Sequence, residues 1–391
     1  MKIKQYHWHH FFGGIALCLL VIQLLSGLIL ALFYSPHLSE AYASVQYLYN
    51  ELSAVAWVRD SHRWAALFLV VAAVMHLIRS VLRKDFLNRY RKTLWLTGVL
   101  ILLPLLGFLI TGMILPWEWR GYWFMEMAPN YVAEIPIIGT GLSEFLLSAF
   151  TLNRAFVVHV VVLPVITLVL IEIHALSRIG KRMGGLSLYL IEHGLFAAPF
   201  LLAIAGLAYF LPMPSQDPAI IPMPLEGEGI PTAEWFVLIF YAPYLYFKGF
   251  MATFFGFYLP LVIFLALAVL PYFFRARAAE KGSGAVQEAA SVKDRIASMQ
   301  MLAPLRKHLG LRTLTKAIGG VSVFLVAMSF FGPFYTVSYP SPTMGCNSCH
   351  NPSVGTRMGL PPATFKDREK NPNLKDNTFM VEHWFYPQVV W

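Results

Sequence analysis

Residues 61–79 read SHRWAALFLVVAAVMHLIR, an apolar run of helix length with a histidine near each end, His62 and His76. The two histidines are fourteen residues apart. At 3.6 residues per turn that is just under four turns, so both imidazoles leave one face of a helix, about 21 Å apart along its axis. A second run, HVVVLPVITLVLIEIH, repeats the device with His159 and His174, fifteen residues apart and again close to four turns. Ionisable side chains inside membrane helices are costly and tend to be functional. One intramembrane histidine is commonly a hydrogen-bonded core residue, but two matched pairs at four-turn spacing are poorly explained that way. Side by side, two such helices offer one imidazole each near the top and one each near the bottom. That is a ligand set for two bis-histidine haems stacked across a bilayer.

The bulk composition agrees. Of 391 residues, 57% are apolar and 13% charged, and several runs reach the ~20 apolar residues that span hydrocarbon. A formal charge of +9 could suggest nucleic acid, but it is concentrated in loops on one side of the membrane, the positive-inside pattern. Nucleic acid is therefore not expected as a partner. Three cysteines, Cys18 in an apolar helix plus Cys346 and Cys349, exclude a disulfide framework.

In chain order, apolar spans are expected over about Phe11–Tyr34, read as retained rather than cleaved, then the His62/His76 helix, Leu94–Leu115 and Arg154–Leu176. Gly194–Leu211, Met251–Phe274 and Ala317–Tyr335 complete seven. The stretch Glu234–Phe247 is too short to cross and reads as interfacial or re-entrant. Basic residues crowd the N-terminus, the 83–92 connection (Arg83, Lys84, Arg89, Arg91, Lys92), the segment after His174 and the loop before Lys316. The alternate connections are nearly free of them. This places the N-terminus in the cytoplasm of a bacterial inner membrane and the C-terminus outside. The tail agrees: CNSCH, Cys346 to His350, is the c-type haem attachment pattern, two thioether cysteines and a proximal histidine. A zinc half-site or redox pair lacks both a second cysteine pair and a thioredoxin-like context. The expected architecture is an all-α membrane protein, with a four-helix di-haem bundle over 1–185 and a three-helix part over 186–336. A short extracytoplasmic haem c tail covers 337–391.

Glycines share the histidine period. Gly13 and Gly27 are fourteen apart, as are Gly98 and Gly112. A macrocycle held between two helices passes close to their neighbours, where glycine permits close approach, although such pairs also mark helix packing. Arg79, near His76, and Arg154, near His159, are placed to pair with haem propionates, while arginine at a helix end also snorkels.

Taken together, SEAYASVQYLYNELSAVAWVRDSHRW, TGMILPWEWRGYW, IPIIGTGLSEFL and the His159–His174 spacing resemble the cytochrome b subunit of quinol-oxidising bc complexes. The resemblance covers about residues 5–335 and lies nearer the chloroplast branch, with that branch's two chains fused into one. It implies that His62 and His159 hold the outer b haem, and His76 and His174 the inner one. It also implies bifurcated oxidation of quinol at the outer face. One electron passes to a separate Rieske iron–sulfur protein and the other through the b haems to a quinone near the cytoplasmic face. Glu234 would take a quinol proton, since a partly buried carboxyl titrates nearer neutrality. The implied assembly is homodimeric, with c-type cytochrome subunits.

Three departures qualify the resemblance. The Pro-Glu-Trp-Tyr quinol motif stands here as Ala233-Glu234-Trp235-Phe236. Phe11 occupies the position of the cysteine that tethers the chloroplast type's extra inner haem, so that haem is not implied. The CNSCH tail has no counterpart, and its sixth ligand is expected to be His383, with Met358 and then Met380 or a partner residue as alternatives. The rival reading is a di-haem membrane anchor and electron conduit for a peripheral oxidoreductase, without bifurcation.

Overall fold

The computed structural model describes residues 11–87, 92–118, 121, 128, 131–148, 151–182, 186–213, 215, 240 and 249–273. Among these, every regular element is helical. Six helices are long and apolar enough to cross a membrane. They are α1 (Phe12–Ala31), α3 (Ser53–Leu82), α4 (Lys92–Ile114), α6 (Leu152–Ile179), α7 (Leu186–Phe210) and α8 (Phe250–Tyr272). Two shorter helices lie between them, α2 (Ala41–Glu51) and α5 (Gly139–Ser148). The expected seventh span Ala317–Tyr335, the Glu234–Phe247 stretch apart from Phe240, and the 337–391 tail lie outside the described residues.

Two boundaries differ from the sequence expectation, each because a polar residue is satisfied inside a helix. α3 starts at Ser53 and runs for 30 residues, about 45 Å, longer than a hydrocarbon core of about 30 Å. Its N-terminal extension carries Arg59 and Asp60, both buried and tied into a network described below. α7 starts at Leu186 instead of Gly194. The polar His193 is nonetheless buried, and its Nδ1 lies 2.9 Å from the Tyr189 carbonyl one turn back.

Proline shapes the other spans. The turn at Ile101 divides α4 three residues before Pro104, which has no N–H to donate to the Leu100 carbonyl. In α6 and α8 the chain widens into π-helix over Val158–Val162 and Phe254–Tyr258. Leu163 and Leu259 donate five residues back, to Val158 and Phe254. Pro164 and Pro260 come immediately afterwards, and a wide turn accommodates a ring that cannot donate to the carbonyl four residues earlier. The Gly256 carbonyl so released accepts from the Tyr131 hydroxyl at 2.7 Å. A further π-helical stretch, Glu172–Leu176, has no proline beside it.

α1 packs along α3, and α7 lies against both. Their shared core holds Ile15, Leu19, Ala65, Leu69, Ala197 and Ile204. α6 packs on α4, and α8 joins α4 at its basic end through Val81, Phe86, Trp95, Val99 and Ala268. The outward face of α6 leaves Val161, Val165 and Val169 more than half exposed, a surface suited to lipid. Between helices so surrounded, close packing and hydrogen bonds replace the hydrophobic effect.

Candidate functional site

α3 and α6 bring the four histidines together in two pairs. His62 and His159 have ring centres 6.4 Å apart, and His76 and His174 6.2 Å apart. Two imidazoles bound to one metal from opposite sides, each by a bond of about 2 Å, have ring centres on the order of 6 Å apart. Both pairs therefore fit axial ligation of a haem iron.

Glycines back each ring. A Cβ on Gly13 would lie 2.9 Å from His76 Cε1, and one on Gly98 2.8 Å from His174 Cε1. At the other pair the distances are 3.3 Å from Gly27 to His62 and 3.1 Å from Gly112 to His159. The glycines thus make room for the imidazoles themselves.

Hydroxyl groups orient three of the rings. Ser26 donates its hydroxyl hydrogen to the Ile22 carbonyl at 2.6 Å, so its oxygen accepts from His62 Nδ1, 2.8 Å away. Thr111 donates to the Gly107 carbonyl at 2.7 Å and accepts from His159 Nδ1 at 2.8 Å. His174 Nδ1 donates to the Leu94 carbonyl at 2.9 Å, with Thr97 Oγ1 3.4 Å away. With the proton held on Nδ1, Nε2 keeps its lone pair for a metal. His76 Nδ1 is buried without a hydrogen-bond partner among the described residues. Ser26, Thr97 and Thr111 were not singled out from the sequence. Their signal is position: each immediately precedes Gly27, Gly98 or Gly112.

A cavity of about 720 Å³ adjoins the His62–His159 pair, lined by His62, His159, Gly27, Gly112, Arg59 and Arg63 among others. The expected Arg154 is not in that lining. It is exposed at the start of α6, where its backbone N–H donates to the capping Thr151 hydroxyl. Arg79, at the His76–His174 level, is half-buried and its Nε has no hydrogen-bond partner among the described residues, a donor available to an anionic group. Phe108 packs edge-on against His159, with ring centres 5.4 Å apart.

The segment between α4 and α6 carries backbone strain. Trp117 and Ile137 adopt φ of 48° and 73°, an uncommon region that costs a β-branched residue such as isoleucine most. Tyr131 of this segment packs on Phe257, ring centres 5.4 Å apart, which brings the segment against α8. Glu234, Cys346, Cys349, His350 and His383 lie outside the described residues, as do Met358 and Met380.

Residues 2–181 match the family described as cytochrome b/b6/petB. Cytochrome b6 of Mastigocladus laminosus is 34% identical over 169 residues, 42% of this chain and 78% of that protein. A chain of a hyperthermophilic respiratory Complex III has a similar fold, with TM-score 0.56 at 22% identity over 84% of this chain and 90% of that one.

Proposed function

Since the chain belongs to the cytochrome b/b6 family, we propose that it is the cytochrome b subunit of a bc-type complex that oxidises quinol at the outer face of a bacterial inner membrane. The observation that carries this reading is the pair of facing histidines at each of two levels, 6.4 and 6.2 Å between ring centres. His62 with His159 would hold an outer b haem, and His76 with His174 an inner one. When bound, the two haems supply a one-electron path across the bilayer to a quinone near the cytoplasmic face.

The chain's own residues do the rest. Ser26, Thr111 and the Leu94 carbonyl hold Nδ1–H on their histidines, so that Nε2 is free to ligate. The four glycines let those rings sit against α1 and α4. Arg79 at the inner level and Arg63 at the outer cavity supply positive charge for propionates. Quinol would bind where the α4–α6 segment meets α8, and Glu234 would take one of its protons. Cys346, Cys349 and His350 would anchor a haem c, with His383 as its sixth ligand. A Rieske protein and c-type cytochromes complete the homodimeric assembly.

The test is purification of the native complex. Pyridine haemochrome spectra of this subunit are expected to give b to c near two to one, with a Rieske protein co-purifying. A ratio near one to one without haem loss sinks the di-haem reading. Two b haems without a Rieske protein, and unaltered quinol oxidation in Glu234→Gln, favour the conduit reading.

A further inference from the structure

The four histidines are built by one local pattern used four times, and one copy lacks a part. At each histidine, a helix facing it brings a glycine against the imidazole, close to Cε1 and Nδ1. At three of them the residue before that glycine is Ser26, Thr97 or Thr111, whose hydroxyl lies 2.8–3.4 Å from Nδ1. At the fourth it is Phe12, before Gly13, and His76 Nδ1 is buried with no hydrogen-bond partner among the described residues.

The exception is local in origin. Ser26–Gly27 and Phe12–Gly13 are fourteen residues apart on α1, and His62 and His76 are fourteen apart on the antiparallel α3. One axial shift of about 21 Å therefore carries one arrangement onto the other. A hydroxyl at position 12 would stand to His76 as Ser26 stands to His62. Phenylalanine there has no acceptor to offer.

An imidazole that donates its Nδ1–H gains electron density and becomes a more basic ligand. A more basic axial ligand stabilises the ferric over the ferrous state and lowers the reduction potential, and hydrogen bonding around the ligands is one of the protein's main controls on that potential. We propose that Phe12 acts as a positioning residue that raises the reduction potential of the inner centre by withholding an acceptor from His76. This rests on the proposed ligation of an inner b haem by His76 and His174.

The experiment is a redox titration of the purified holo-complex, followed in the b-haem absorption bands. The inner component is assigned as the one missing from His76→Leu. Phe12→Ser is expected to lower the inner midpoint and leave the outer one in place, while Phe12→Ala, which removes the ring without adding an acceptor, leaves both in place. As the reciprocal change, Ser26→Ala is expected to raise the outer midpoint alone, and it decides the matter if Phe12→Ser does not assemble. Two b components that Phe12→Ser and Ser26→Ala leave unmoved overturn the role of Phe12 while the haem reading stands. A single b component in the unaltered protein overturns both.

Discussion

A methyl group on Gly98 would stand 2.8 Å from His174 Cε1, whereas one on Gly27 would stand 3.3 Å from His62 Cε1. The first contact is closer than real Cβ atoms come and forces the ring off its position. The second asks for a shift of a few tenths of an ångström. Overpacking of the first kind costs roughly 1–3 kcal/mol, enough to lower haem retention about tenfold. Gly98→Ala is thus expected to lose most of the inner b haem and Gly27→Ala to keep most of the outer one, measured as haemochrome per polypeptide. Equal retention would remove the glycines from any role beyond helix packing. The histidines and glycines were legible in the sequence because both recur at one helical period. The hydroxyls were not, because serine or threonine in a membrane helix ordinarily bonds the carbonyl a turn back. Ser26 and Thr111 do that here, and their second bond leaves no mark on composition.

At the scale of elements, the two histidine spacings differ by one residue, fourteen on α3 and fifteen on α6. In a straight α-helix fifteen residues overshoot four turns by about 60°, and fourteen fall short by about 40°. The π-helical stretch at Val158–Val162, most of which follows His159, absorbs the difference, while a second one, Glu172–Leu176, contains His174 itself. The first stretch accommodates one extra residue between the two histidines without advancing the helix phase. Deleting Val161, an exposed residue of the first stretch, is therefore expected to straighten α6 and keep both b haems. Inserting one alanine between Val165 and Ile166 adds about 100° of rotation and is expected to cost one of them, read from b-haem content. Loss of a haem on deletion, with none on insertion, would reverse this account. From the sequence the approximate period was readable, but the π-helical correction was not. Pro164 marks one stretch, while nothing in the residues around Glu172 announces the other.

Across the molecule, the N-terminal end of α3 is clasped to the segment that follows α7. Arg59 donates to the Tyr49 hydroxyl at 2.6 Å, the Met213 carbonyl at 2.7 Å and the Ser215 hydroxyl at 2.7 Å. Asp60 accepts from Tyr49 at 2.6 Å and from the Met213 N–H at 3.2 Å. Burial pushes the Tyr49 hydroxyl up to about 12, against about 10 for an unfolded tyrosine. The phenol's contribution is thus complete below pH 10. Between pH 10 and 12 the unfolded chain holds fewer protons than the folded one, so stability falls as pH rises. Thermal melts in detergent are expected to show this alkaline loss, and Tyr49→Phe to lack its tyrosine component. The same substitution costs about 1–3 kcal/mol at neutral pH, because it strips a partner from two buried groups. Equal melting of the two proteins at pH 7 would show the clasp to be idle. On either side of that clasp along α3, Trp57 and Trp64 donate to the carbonyls of Ala205 and Leu211, each at 3.2 Å, and α7 shares its core with α1 and α3. An interface with contacts of its own has a consequence for gene architecture. The peptide connection between Arg182 and Leu186 is then a tether, contributing an effective concentration on the order of millimolar for a short linker. Residues 1–182 and 186–391, translated as two polypeptides in one cell, are expected to find each other in the bilayer and co-purify with both b haems, in lower yield than the unbroken chain. Recovery of the first polypeptide alone would mean that covalent continuity, and not recognition between helices, keeps the halves together.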